Sequence, residues 1–530
     1  MRRSATAASQ QTRIASSCDT WDPCFDDRCY RNPIIASDYS DPDVIRHGDD
    51  FYLTSSSFNC TPGLPILHSR DLVHWKLINH GVRNLPNASF NQVRHGCGIW
   101  APALRYHDGR FWIFFPMPDE GIFVITAEHP AGQWSEPHLV AAGRGLIDPC
   151  PLWDDDGAAY LVHAYAYSRS GKRHRLQVRP MAADGSQLLG AGKTVFEQPD
   201  RHPIIEGPKF LKRNGYYYIL APAGGVATGW QVALRSRNVY GPYEDRIVLE
   251  QGETPINGPH QGGLVDTPQG QWWFIHFQDA GPYGRISHLQ PARWENDWPL
   301  IGEGHNGQDV GRPVAVHPKP WVASPGPAVS IQTSDDFEEP NLGPQWQWNA
   351  NHSSHWYSLS ANPGSLRLFA REAPGDNLAN APHFLGQKFP HLSFTAETAV
   401  ELPAYAEGVR AGLCVLGTSY AAVLVSRRCD GLFVEHVSCS DYAVEGAATV
   451  NAAIKVDSAR IRLRLEVDEA ARCMFSVSVD GSTYDSFGPA FDATPGAWIG
   501  TRVGLICLGA GDHADFSGFR VSPLRSPSSE

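Results

Sequence analysis

GDDFYLTSS at 48–56, DGRFWIFFP at 108–116, DGAAYLVHA at 156–164, NGYYYILAP at 214–222 and QGQWWFIHF at 269–277 are five copies of one local design. Each is a polar turn carrying a glycine, followed by a strand-length run rich in aromatic residues. Asp-Gly and Asn-Gly between apolar runs signal tight hairpins, because these residues tolerate the positive φ that such turns require. The glycines Gly48, Gly109, Gly157, Gly215 and Gly270 are 61, 48, 58 and 55 residues apart. No long stretch between them carries the 3.6-residue period of an amphipathic helix. Seven to ten residues before each glycine stands a polar or aromatic residue beside Pro or Gly: Asp41 in SDPD, Trp100 in IWAP, Asp148 in IDPCP, Glu206 in IEGPK and His260 in GPHQGG. A hairpin coupled to one special residue fits a propeller blade, whose innermost strand faces a central channel. A sandwich would alternate without that coupling. Residues 31–301 are therefore expected to form a five-bladed β-propeller.

Outside the repeat the pattern changes. Residues 302–330 are rich in Gly and Pro and read as a linker. From 331 to 530 come short alternating runs, SLRLFA, FTAETAVEL, RIRLRLEVD, MFSVSVDG and RVGLICLG, spaced by turns. These predict a β-sandwich. Residues 1–30 are left as an N-terminal extension, and the fold class is all-β.

Composition narrows the functional classes. The chain has 530 residues, 19% charged and 11% aromatic, with 50 Gly, 41 Pro and 16 Trp, which argues against coiled coil, helix bundle and extended disorder. Net charge is 44 − 56 = −12 without a basic cluster, so neither nucleic acid nor an anionic membrane is an expected partner. No run of 18 apolar residues occurs. MRRSATAASQQTRIASS lacks the apolar core of a secretory signal. The eleven cysteines form no CxxC pair or zinc-ligand spacing, and a cytoplasmic location with free thiols is expected. A disulfide within Cys18, Cys24 and Cys29 is the alternative if the protein is exported.

Three carboxylates, Asp41, Asp148 and Glu206, hold corresponding places in three repeats. In a propeller such positions converge at one end of the axis. Three carboxylates in one funnel suit glycoside hydrolysis: one activates water, a protonated one supplies the leaving oxygen, and a third raises the donor's pKa by like-charge repulsion. Asp-Pro dipeptides that merely cap turns are the simpler explanation for any single one. Recurrence in matched positions favours the chemistry.

RNPIIASDYSDPDVIRHGDDFYLTSSSF, then HSRDLVHW, GIWAPAL, LIDPCPLW, IIEGPKF and GPHQGGLVDTPQGQWWFIHFQD, resembles glycoside hydrolase family 43. The likeness is to its two-domain β-xylosidases and α-L-arabinofuranosidases and spans residues 31–301. The C-terminal part, ending in HADFSGFRV, is similar to the concanavalin-like sandwich appended in that group. The resemblance implies an inverting, exo-acting enzyme that takes terminal xylose or arabinofuranose from xylo- or arabino-oligosaccharides. An endo-acting arabinanase and a non-catalytic carbohydrate-binding propeller are the alternatives. It further implies Asp41 as general base, Asp148 as pKa modulator and Glu206 as general acid. Phe58 in TSSSF and Trp100 in IWAP would wall the sugar pocket, and Arg285 in YGRI and His260 would reach the same subsite. Asp43 also has carboxylate-pair spacing to Asp41, but is read as a strand cap.

His260 has three readings: sugar contact, ligand of an axial calcium ion, or buried structural histidine. In the sandwich, the resemblance makes Asp336 and Asp515 candidates for a structural calcium site, because related sandwiches pair such residues around calcium, with turn capping as the competing explanation. No cofactor is expected to be required, and a homo-oligomer is left open. GEGHNG at 302–307 matches GxGxxG, yet no helical pattern follows it, so no dinucleotide site is expected. Ser170-Gly171-Lys172 lacks the rest of a phosphate loop, and no G-x-S-x-G hydrolase signature occurs.

Overall fold

The computed structural model describes residues 21–304, 310–444 and 448–524. Cys18 and the His-Asn-Gly of GEGHNG lie outside these residues. The five repeats become five antiparallel sheets around one axis. Blade one comprises Asp43–His47, Asp50–Thr54, Gly63–Ser69 and Lys76–Val82. The other four begin with the inner strands Ala103–His107, Leu146–Trp153, Lys209–Arg213 and His260–Asp266. Each predicted glycine turn joins the inner strand of its blade to the second strand, as in the pairing His47↔Asp50 across Gly48. The aromatic runs are buried because each second strand is covered by neighbouring blades. Phe51, Phe111, Phe114, Phe115, Phe274 and Phe277 are at most 2% exposed.

The ring closes between blades five and one. Ile35 bridges Ser287, and Arg46 forms an ion pair of 2.8 Å with Asp266. Asp43 does more than begin its strand. Its Oδ2 accepts from the Leu104 backbone N–H at 2.8 Å and from Arg105 Nη1 at 2.7 Å, with Lys209 Nζ 3.8 Å away. Arg105 also reaches the Cys150 sulfur at 2.8 Å. One carboxylate thus fastens blade one to blade two, with cations from two blades beside it. The cap reading missed this role because the partners are about sixty residues or more distant in sequence.

The predicted linker is partly built into the propeller. Gly311–Arg312 runs parallel to the outer strand of blade four, and Val316–Pro318 pairs with Cys29–Arg31 from the supposed N-terminal extension. Gly and Pro remove the alternating pattern from such segments, but their backbone groups still cover strand edges that would otherwise be unpaired.

The second domain is a sandwich of a seven-stranded and an eight-stranded sheet, and contains the predicted runs at Leu366–Phe369, Phe394–Glu401, Arg460–Val467, Arg472–Ser478 and Arg502–Leu508. Its core extends into the propeller through Tyr283 and Ile286. Thr61 and Trp348 exchange backbone hydrogen bonds of 3.0 and 2.6 Å across the domain junction. Arg502 reaches Cys60 Sγ at 3.1 Å and Asn349 Oδ1 at 2.6 Å. Buried bonds of this kind hold the sandwich in one place beside the mouth of the funnel.

Candidate active site

Asp41, Asp148 and Glu206 stand at the inner-strand starts of blades one, three and four. Asp41 and Asp148 both adopt left-handed backbone, with φ of 56° and 55°. Asp enters this region more readily than most residues, and the turn redirects each carboxylate away from the strand's own ladder. Glu206 follows Ile204, which has a φ of 54°. Next to it, Gly207 has a φ of 58°, and a Cβ there would come within 2.8 Å of the Gln261 side chain. Glycine is needed at that point, and its N–H donates to Asp148 Oδ2 at 2.8 Å. The acid-bearing turn of blade four is thereby tied to the carboxylate of blade three.

Asp41 is 6% exposed, and each of its contacts is one it accepts. Ser56 Oγ donates to Oδ2 at 2.6 Å and Ser40 Oγ at 3.2 Å, while Arg285 Nη1 donates to Oδ1 at 2.9 Å. Arg285 is itself set by its backbone N–H, which donates to Asp38 Oδ1 at 2.9 Å. The second oxygen of Asp38 accepts from Gly500 N–H of the sandwich at 2.9 Å. A single buried carboxylate therefore registers blade one, the blade-five loop and the second domain against each other.

Asp148 and Glu206 differ from an ordinary carboxyl in the same direction. Burial raises Asp148 above the usual range, opposed by the Gly207 hydrogen bond and reinforced by the charge of Asp41. Burial also raises Glu206, and the charge of Asp148 raises it further. The two form a coupled pair that retains a proton where isolated carboxylates have lost theirs. The Glu206 side chain is 28% exposed and so remains accessible from the funnel, whereas Asp148 is 5% exposed. The accessible member of the pair is the one able to meet a ligand.

His260 Nε2 lies 3.7 Å from Glu206 Oε1. Burial lowers its pKa to about 3, so the ring is neutral beside the acid. Neither ring nitrogen has a hydrogen-bond partner among the described residues, although the residue is 1% exposed. One imidazole nitrogen and one carboxylate are not the oxygen-rich shell that calcium takes. The ring nitrogens instead suit the hydroxyls of a ligand.

Phe58 and Trp100 meet edge to face with ring centroids 6.4 Å apart. Phe58 has a φ of 51° and bridges Ile99, and a Cβ at Gly98 would strike its carbonyl oxygen at 2.2 Å. Glycine thus permits the close approach of the two loops that carry Phe58 and Trp100. The sequence did not single out Trp498, which comes from the sandwich. Its ring centroid is 6.0 Å from that of Trp100, and the Arg285 guanidinium lies 5.9 Å above its face. It is 53% exposed with a φ of 68°, a strained conformation for a bulky residue. Ile499 beside it packs with Phe58, Cys60 and Trp100. The signal was the turn PGAWIG, which breaks the alternation of the strands around it.

The proposed calcium pair in the sandwich is not assembled. Asp515 is occupied by Arg367, with bonds of 2.8 Å to both oxygens, and by Asn362 at 2.9 Å. Asp336 is exposed and caps its own turn through the Glu338 N–H at 3.4 Å. Asp335 pairs with Phe519, whereas Asp515 lies opposite Arg367 and Glu401, so register separates the two acids. The suggested disulfide is likewise not formed by its described members, since Cys24 and Cys29 are free thiols.

Comparison with known proteins follows the same division. Residues 30–299 match the model of glycosyl hydrolases family 43, and residues 334–522 match that of the β-xylosidase C-terminal concanavalin A-like domain. A protein of Xylanibacter ruminicola is 42% identical over 483 residues, 91% of this chain and 86% of its own. A β-xylosidase of Formosa agariphila is 30% identical, with 91% and 87% covered. The non-reducing-end α-L-arabinofuranosidase BoGH43B of Bacteroides ovatus is 32% identical, with 73% and 74% covered. Among solved structures, BlXynB of Bacillus licheniformis superposes with a TM-score of 0.80 at 25% identity, over 94% of this chain and all of that one.

Proposed function

Because the chain belongs to family 43 of the glycosyl hydrolases and is a glycosidase, we propose that it releases terminal pentose from hemicellulose oligosaccharides by a single inverting displacement. The observation that carries this reading is the site itself: Asp41 accepts hydrogen bonds from Ser56 and Arg285, while burial and neighbouring negative charge raise the carboxyls of Asp148 and Glu206 above the usual range. Water held by Asp41 attacks the anomeric carbon while Asp41 takes its proton. Glu206 gives its proton to the leaving oxygen as the glycosidic bond breaks. The cycle ends with Asp41 protonated and Glu206 ionised, and exchange with solvent restores both. Asp148 keeps the Glu206 proton in place until it is needed. Arg285 and Ser56 hold Asp41 in the geometry of attack.

Trp498 supports an exo-acting enzyme over an endo-acting one. A groove that passes a polymer through must be open on two sides, whereas here the second domain brings Trp498 beside Trp100 at the site. The terminal sugar would lie between these rings and His260. Both β-D-xylose and α-L-arabinofuranose present hydroxyls suited to the His260 nitrogens, in line with the names of the relatives above.

The test is proton NMR during early hydrolysis of aryl β-D-xyloside and aryl α-L-arabinofuranoside. Inversion gives first-formed sugar of the opposite anomeric configuration, before mutarotation. It also requires base and acid carboxyls ~6.5–9.5 Å apart, against ~5–5.5 Å in a retaining enzyme. Release with the substrate's own configuration would remove Asp41 from the role of base.

A further inference from the structure

At the turn between the third and fourth strands of blade one, a second constellation of polar groups has no part in the proposed hydrolysis. Asp22, Cys24 and His74 each offer one donor atom, and the three atoms lie within 4.8 Å of one another. Cys24 Sγ is 3.2 Å from His74 Nε2. The other ring nitrogen, Nδ1, is 2.6 Å from Asp71 Oδ2. Asp71 is anchored in turn, because its Oδ1 accepts from the backbone N–H groups of Val73 and His74 at 2.9 and 2.8 Å. A fixed carboxylate on Nδ1 keeps the proton there and leaves the Nε2 lone pair directed at the sulfur. This is the arrangement by which an outer carboxylate orients a metal-binding histidine. Asp22 turns back on the same point, its Oδ1 accepting from the Cys24 N–H at 2.8 Å.

We propose that Asp22, Cys24 and His74 bind one zinc ion, with Asp71 as the positioning residue behind His74. The donor set of one sulfur, one imidazole nitrogen and one carboxylate oxygen is that of zinc rather than calcium or magnesium. A tetrahedral ion with a Zn–S bond of ~2.3 Å and a Zn–N bond of ~2.0–2.1 Å needs the two atoms ~3.5 Å apart. The observed 3.2 Å asks for an opening of a few tenths of an ångström. A thiolate and a carboxylate together neutralise the dication, while His74 contributes no charge. Lys319 also reaches the sulfur, and its ammonium gives way when the metal takes the lone pair. The fourth position is left for water.

The site has a structural purpose that follows from where its ligands come from. His74 belongs to the turn between the third and fourth strands of blade one. Asp22 and Cys24 belong to the segment leading into Cys29–Arg31, which pairs with Val316–Pro318 on the way to the sandwich. Zinc would therefore fasten the segment leading into Cys29–Arg31, and with it the interdomain connection, to the propeller.

The experiment uses the full chain, stripped with a chelator and titrated with zinc and, separately, with cobalt. One equivalent of zinc per chain is expected, with a rise in Tm that depends on zinc concentration. Cobalt should give the absorption of a thiolate-to-metal charge transfer. Cys24→Ser should abolish that band, and Asp71→Asn should weaken zinc binding ~10–100-fold. Glycosidase activity of the metal-free variants should equal that of the metal-free parent, which confirms that they are folded. Zinc uptake no greater than that of the Cys24→Ser, His74→Gln double variant would overturn the proposal and leave a simple thiol–imidazole hydrogen bond. A charge-transfer band that survives Cys24→Ser would equally refute it.

Discussion

Replacing Asp148 by Asn removes a charge from the funnel while keeping an oxygen able to accept from Gly207 N–H, the 2.8 Å bond that ties blade three to the acid's turn. Glu206 is raised first by burial and second by the charge of Asp148. Only the second cause disappears in the variant. Two unit charges ~4–6 Å apart at an effective dielectric of ~20 repel by ~3–4 kcal/mol. One pKa unit corresponds to ~1.4 kcal/mol, so full repulsion would be worth ~2–3 units. Asp148 is itself raised and coupled to Glu206, so only part of its charge is present when Glu206 titrates. A fall of ~1–2 units is therefore expected. The sign follows from the role. A general acid works in its protonated form, so activity is lost as pH rises through its pKa. Lowering that pKa moves the alkaline limb of the kcat/KM profile to lower pH. The limb should still lie above that of an isolated carboxyl, because burial remains. The assay is the pH dependence of kcat/KM on an unactivated oligosaccharide, whose leaving group needs the proton. An alkaline limb that stays in place, or moves upward, would refute both the coupling and the assignment of Glu206 as acid.

Asp41→Asn should lower turnover ~10²–10⁴-fold on every substrate, since water loses its base whatever the leaving group. Glu206→Gln should instead spare aryl pentosides relative to oligosaccharides, and equal losses on both would show a binding or folding role. Trp498→Ala should lower kcat/KM ~5–30-fold, the loss expected for an aromatic wall worth ~1–2 kcal/mol, with circular dichroism unchanged; unaltered kinetics would place Trp498 outside the subsite. Asp43→Ala should destabilise the chain by ~3–5 kcal/mol in denaturant unfolding, because Arg105 and Lys209 keep buried charge with no carboxylate between them. A loss under ~1 kcal/mol would mean that water or Cys150 already satisfies them.

How much of this was legible before the structure depends on the range of the interaction that carries each feature. The glycine turns, aromatic strands and alternating runs of the sandwich are local, since φ preference and side-chain alternation act over two to eight residues. Their order alone sufficed for five blades and a second β domain. Asp41, Asp148 and Glu206 stand out in the sequence for the same reason: each lies seven or nine residues before the glycine of its own turn. Contacts between blades and between domains leave no such trace. Nothing in SDPD says that Asp43 will accept from Leu104 and Arg105, or that Asp38 will hold Gly500 of the other domain. Trp498 was one of 16 tryptophans until the sandwich docked and brought it beside Trp100 and Arg285. The same holds for Asp515, which lost its reading as a calcium ligand to Arg367 on the neighbouring strand. Turns and strand periods are written in the chain because each residue meets its near neighbours in every conformation. Pocket walls and buried ion pairs belong to the tertiary structure because their partners meet only when the ring has closed.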